Sequence, residues 1–120
     1  MKLKKKLLGH VGVDSGHLLV CDPAYIDSEW IKEELEFNDD ARGSIAPAKS
    51  NFSYAATVQD KHQLNYKLGH AGVGITFSSG YGDGVYPVYG YFNKEDRCMK
   101  VEIDMQLTTP QKKLFDITNK

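Results

Sequence analysis

The chain has 120 residues, 41% apolar and 26% charged, the makeup of one ordinary globular domain with a single core. Its net charge of −1 gives no bulk attraction to nucleic acid or to an anionic membrane, which weighs against both as partners. No apolar run approaches the roughly 20 residues that span a bilayer, and the lysine-rich start has no apolar core behind it, so the sequence predicts a cytoplasmic, unsecreted protein.

Residues 1–8 alternate Lys2, Lys4 and Lys6 with Leu3, Lys5 and Leu7. That pattern reads as a strand with a charged outer face, and lysines on an edge strand resist pairing with other edges. A small basic patch for phosphate or nucleic acid is the other reading. Residues 8–13 are echoed by residues 68–73, with five of six positions identical. The echo suggests two related hairpins, paired in one sheet, with His10 and His70 in similar settings.

Residues 11–22 read as strand, tight turn and strand, with Asp14-Ser15-Gly16 at the turn. Leu18, Leu19, Val20 and Cys21 are apolar on both faces, which predicts a central strand ended by Asp22-Pro23. Asp22 then lies at a strand end, either as a functional carboxylate or as the cap of the next turn. Residues 27–35 form the one expected helix. Asp27 or Ser28 would cap it, and Ile31 and Leu35 would share a buried face beside Trp30, which would pack over a sheet edge.

Residues 38–51 have no period and much turn chemistry, so they read as a loop. Phe52, Tyr54, Ala56 and Val58 alternate with small polar residues, which predicts a strand, and residues 63–68 predict a weaker one. Val73, Ile75 and Phe77 face one way and Gly74, Thr76 and Ser78 the other, the mark of a half-buried strand. Residues 85–92 carry bulk on both faces, with Pro87 requiring an edge or a bulge. Met99, Val101, Ile103 and Met105 alternate with Lys100, Glu102 and Asp104, a clean amphipathic strand. Residues 108–120 hold at most a final turn around Leu114 and Phe115. Cys21 and Cys98 read as buried thiols rather than a disulfide.

Between two strands, Ser78-Ser79-Gly80-Tyr81-Gly82-Asp83-Gly84 has glycine at every second position from Gly80. Such a loop is either special hairpin geometry or a nest of backbone N–H groups for an anion. The run Ser79-Gly80-Tyr81-Gly82-Asp83-Gly84-Val85-Tyr86-Pro87-Val88-Tyr89, followed by Val101-Glu102-Ile103-Asp104, resembles the C-terminal signature of an uncharacterised domain-of-unknown-function family of bacteria and phages. Val13-Asp14-Ser15-Gly16 and Asp22-Pro23-Ala24-Tyr25 resemble small phage and host proteins in the same way. The resemblance implies a bacterial or phage setting and an all-β fold, and carries no catalytic residue over.

These features predict a mainly β single domain over residues 1–120. It would be an antiparallel roll or small sandwich of about six or seven strands with one short helix. The functional expectation is a non-enzymatic binding module for a small polar ligand such as a nucleotide. Ser79, Gly80, Tyr81, Gly82, Asp83 and Tyr86 would form its site together with Asp14, His17, Asp22 and Tyr25. Tyrosine faces would stack on a base and loop amides would take phosphates. In a phage, such a module would sequester a host nucleotide signal. No cofactor or resident metal is expected, and dimerisation stays open. One alternative is a metal-dependent hydrolase built on Asp14, Asp22, Asp83 and Asp104 with His17 or His70 as base. Another is a protein–protein interaction domain, since the seven tyrosines suit a recognition surface.

Overall fold

The alternating runs of the sequence become antiparallel strands in a computed structural model that describes residues 2–38, 44–59, 61–67 and 71–106. In chain order the elements are β1 (Lys4–Val13), β2 (His17–Val20), α1 (Pro23–Ser28), α2 (Tyr54–Thr57), β3 (Gln63–Leu64), β4 (Gly74–Ser78), β5 (Gly84–Phe92) and β6 (Cys98–Ile103). The fold is mainly β, as expected, with two short helices instead of one. The chain divides into two compact units. The first comprises Met1–Gly16 and Ser79–Lys120, and the second comprises His17–Ser78. The expected tail turn at residues 108–120 and the histidine at position 70 lie outside the described residues.

The first unit holds a sheet of order β1-β5-β6. β1 carries its lysines exposed, as expected, whereas the apolar face expected for β6 is open, with Met99 57% and Val101 55% exposed. β1 runs unbroken from Lys4 to Val13, with an irregularity between Leu7 and Gly9 that sets Leu8 out of register. Pro87 is tolerated in the central strand because of where it lies. It is one residue past the Val88–Ile103 pair that ends the ladder to β6, and its carbonyl accepts from the Asp104 amide at 3.1 Å. A proline there forfeits no hydrogen bond inside that ladder. Lys5 reaches across the sheet to Glu102 at 3.1 Å and sits 4.3 Å from the Tyr89 ring centre. The lysine contact, then the Tyr91 hydroxyl, hold the Glu102 carboxyl below the usual range. Few side chains are fully buried in this unit. Val13 and Tyr86 are its buried apolar residues besides Pro87.

The second unit holds a sheet of order β2-β4-β3 and most of the buried apolar volume. Phe52, Ala56, Leu64 and Val73 form its core, with Leu19, Cys21, Tyr25, Trp30, Ala48 and Tyr66 packed around them. Several expectations are corrected here. The strand at residues 18–21, expected at the centre, is an edge, and β4 is central. The two echoed segments do not share a sheet. The first copy lies in β1, and the second leads into β4, with residues 68–70 outside the described set.

The helix expected at residues 27–35 lies earlier. Asp22 is its N-cap, accepting from the Ala24 amide at 2.9 Å, and Pro23 takes the first helical position. Both are preferred residues at those places. From Trp30 to Glu36 the chain forms no helix; the Ile31 amide donates to the Phe52 carbonyl at 2.8 Å and Trp30 packs edge-on against Phe52. Residues 52–58, expected as a strand, contain α2 instead. Ser53 caps it by accepting from the Ala56 amide at 3.1 Å, and Ala55 and Ala56 are good helix formers.

β4 is inverted relative to its apolar pattern. Thr76 is 2% exposed and Ile75 46%. The reason is local. The Thr76 hydroxyl donates to the Lys61 carbonyl at 3.0 Å and its amide to the His62 carbonyl at 2.7 Å, so the threonine is satisfied inside. Gly74, on the same face, leaves room for Leu19 and Phe52. A Cβ at Gly74 would lie 3.0 Å from Leu19 Cδ1 and 3.3 Å from Phe52 Cε1. Of the two cysteines, both free thiols, Cys21 is half-buried and Cys98 is exposed, so only the first resembles the expected buried thiol. Burial raises the Cys21 thiol above its ordinary pKa. No helix among the described residues is long and apolar enough to cross a membrane.

The inverted strand has a direct consequence for stability. Gly74→Ala should cost about 1–3 kcal/mol by overpacking. Ile75→Thr, on the open face, should change stability by less than about 0.5 kcal/mol. Urea denaturation of the two variants reads both values, and a larger loss for Ile75→Thr would contradict the inversion.

Candidate functional site

Folding gathers seven of the ten sequence-predicted site residues at one end of the first unit. The β1–β5 ladder ends at the Val13–Gly84 pair, which places the Asp14-Ser15-Gly16 turn beside residues 79–84. The Ser79 amide donates to the Gly16 carbonyl at 3.0 Å. The loop then closes on itself. Its Gly82 carbonyl accepts the Ser79 hydroxyl at 2.6 Å and the Tyr86 hydroxyl at 2.7 Å. The Gly82 amide in turn donates to the Ser79 carbonyl at 3.1 Å. Gly80 and Gly82 have φ of 63° and 103°, values that glycine reaches without strain. Ser79 and Tyr86 are fully buried, whereas Tyr81 is 81% exposed and Asp83 and Asp14 also face solvent.

The Gly82 amide and the Ser79 and Tyr86 hydroxyls thus serve the loop's own closure, and the Ser79 amide ties it to the neighbouring turn. The special-geometry reading of the glycines accounts for these contacts.

The other three predicted residues belong to the second unit. His17 opens β2 opposite Ser78. Asp22 caps α1. Tyr25 stands edge-on to Tyr66, with ring centres 5.3 Å apart. Among the described residues no group of three or more His, Cys, Asp or Glu side chains is placed to share a metal ion, so Asp14, Asp22, Asp83 and Asp104 form no such group.

A concavity of about 660 Å³, a size that accommodates a small molecule, lies wholly within the second unit. Ile31 is its exposed apolar residue, and the buried Phe52 and Val73 lie at its base. Asn51, Asn65, Tyr66, Lys32 and Lys67 supply polar groups, and the acidic run Glu33, Glu34 and Glu36 forms part of the wall.

That wall is tied by one carboxylate. Glu33 accepts from the Ser50 hydroxyl at 2.6 Å, the Ser53 hydroxyl at 2.7 Å and the Ser50 amide at 3.1 Å, and also from the Lys49 amide. Beside it, residues 36–38 and 44–46 run antiparallel. The Ala46 amide donates to Glu36 and the Asn38 amide to Ser44, both at 2.8 Å. Lys49 completes the join with an ion pair to Glu36 at 3.3 Å.

The donors around Glu33 stabilise its charged form. The Ser50 hydroxyl first, then the Lys49 amide and the Ser53 hydroxyl, lower its pKa from 4.5 to about 2. Burial, then the hydrogen bond with Tyr25, push the Tyr66 hydroxyl up to about 12, so it stays a neutral donor at physiological pH. Lys32 and Lys67 form no ion pair with any described residue.

Sequence reasoning missed this groove because it placed Glu33 on a helix and Phe52 on a strand. The available signal was the pairing of an acidic run with the hydroxyl-rich stretch Ser50-Asn51-Phe52-Ser53 across a turn-forming loop. Residues 3–103 match DUF4241, a family described as protein of unknown function. The match agrees with the resemblance to an uncharacterised domain. No curated protein and no solved structure matches the chain.

The Glu33 tie makes the second unit acid-sensitive. Its folded pKa of about 2 lies below the ordinary 4.5, so its stabilisation is complete above the higher value and disappears as pH falls toward the lower. Glu33→Gln should lower the melting midpoint at neutral pH and flatten its fall across that acid window. Melting curves from neutral to acid pH test this, and parallel curves for variant and native protein would refute it.

Proposed function

The chain belongs to the DUF4241 family, and from that premise we propose that it is a non-enzymatic binding module for a small polar ligand, with the groove of the second unit as its site. The observation that carries this reading is a groove of small-molecule size whose wall is fixed by four hydrogen bonds to a single carboxylate. A preorganised wall lowers the ordering cost of binding.

The lining supports a nucleotide as the ligand class. Ile31, 52% exposed, offers an apolar surface to a base, and Tyr66 and the Asn51 and Asn65 amides offer directional hydrogen bonds. Lys32 and Lys67 offer charge to a phosphate. In a bacterial or phage cytoplasm, such a module would act by sequestering a nucleotide signal of the host.

Thermal unfolding against a panel of nucleotides and cyclic nucleotides, without metal, tests the proposal. A ligand at about a hundred times its dissociation constant adds roughly 2.7 kcal/mol and raises the midpoint visibly. The shift should vanish in the double variant Lys32→Ala/Lys67→Ala and persist in Tyr81→Ala. A panel without any shift, or a shift that survives the double variant, overturns the nucleotide site.

A further inference from the structure

The open edge of β6 is complementary to itself. β6 has β5 on one side and no second neighbour among the described residues. The Asp104 amide points toward β5, where it meets the Pro87 carbonyl. Backbone groups in an antiparallel strand alternate between its two sides. Lys100 and Glu102 therefore turn their N–H and C=O toward β5, and Val101 and Ile103 turn theirs to the open edge.

Side chains alternate between the two faces of the sheet. Lys100 and Glu102 lie opposite Tyr91 and Tyr89, and Val101 lies opposite Gly90. Any side chain at Gly90 would meet Phe92 Cε2 at 2.8 Å and Leu8 Cδ1 at 3.2 Å, so Leu8, Phe92 and Val101 share one face. Val101 is 55% exposed and Leu8 54%. An edge strand with an apolar face and unpaired backbone groups is a template for another strand.

We propose that β6 pairs antiparallel with β6 of a second copy of this chain, about a two-fold axis at Val101. In this register Val101 exchanges both backbone hydrogen bonds with the partner's Val101. Lys100 stands opposite the partner's Glu102, and Glu102 stands opposite the partner's Lys100. Opposite charges facing each other across strands are favourable, and two-fold symmetry makes each contact twice. The apolar faces of the two strands join beside the axis, and the two three-stranded sheets become one. On the β1 edge an axis at Lys5 would set the run Lys4-Lys5-Lys6 against its own copy, like charge on like charge. The charge pattern thus favours the β6 pairing over that one.

The inference is independent of the groove, and light scattering on the eluting full chain tests it. The native protein should run at twice the chain mass of 13.5 kDa as its concentration rises. Val101→Pro removes an amide that faces away from β5, so the sheet persists. The dimer loses that hydrogen bond twice and should weaken about tenfold or more, with an unchanged circular dichroism spectrum. Lys100→Glu and Glu102→Lys should each be monomeric alone, because each sets like charges opposite each other. Mixed in equal amounts they should pair, since both cross-strand contacts are then of opposite sign. A native protein that stays monomeric at every concentration overturns the proposal. So does Val101→Pro protein that dimerises as tightly as native, or folded charge variants that fail to pair when mixed.

Discussion

The Glu33 carboxylate is the constraint on which the second unit depends. Four donors from Lys49, Ser50 and Ser53 converge on it. Hydrogen bonds to an ionised acceptor are roughly twice as strong as neutral ones, and several donors on one anion keep it charged. The consequences run outward in sequence and in space. The Ser53 hydroxyl donates to Glu33 and accepts from the Ala56 amide, so the same atom fixes the wall and caps α2. A hydroxyl has the capacity for both roles. Phe52, between the two serines, is thereby set into the core against Trp30 and Leu19's neighbour Gly74. The groove is what remains between this tied wall and Tyr66.

The inside of the second unit shows that burial follows hydrogen-bond satisfaction as much as side-chain hydrophobicity. Thr76 is inside because its hydroxyl, amide and carbonyl all have partners in the stretch Lys61-His62. The cost of burying a polar group is largely the cost of leaving it unpaired. Ile75 remains outside because Gly74 and Thr76 occupy the face against which Leu19 and Phe52 pack. In the first unit the balance differs. Its sheet has few fully buried side chains. The polar face is held instead by Lys5, Glu102, Tyr89 and Tyr91, and the opposite face carries exposed apolar residues. A sheet with so little covered apolar area gains from further cover.

Family membership names no activity, so what this chain does must be read from its own groups. Its glycine-rich loop, the most unusual stretch of the sequence, spends Ser79 and Tyr86 on its own closure. The groove, built from lysines, asparagines and glutamates, offers the more open set of polar groups. Unusual sequence marks unusual backbone geometry first, and a ligand site only when the groups so positioned stay available.

Strand alternation was legible because it depends on a period of two that needs no partner to recognise. β1, β4, β5 and β6 all form where strands were read, although β4 turns the opposite face inward and β6 leaves its apolar face open. The Asp-Ser-Gly turn and the glycine-rich break were legible for the same reason, since turn chemistry is local. Partnership was not. Whether residues 18–21 lie at an edge, which face of β4 turns inward, and which carboxylate collects four donors are questions about atoms far apart in sequence. Helix and strand at residues 27–35 and 52–58 were decided by contacts of this kind. Ser53 both caps α2 and donates to Glu33, a contact far away in sequence. Residues 30–36 stay out of a helix where Trp30 and Ile31 meet Phe52. Sequence alone determined where this chain would alternate and where it would turn. The tertiary structure decided which faces were buried and which groups were left to bind, because those outcomes rest on long-range pairing that local preference does not encode.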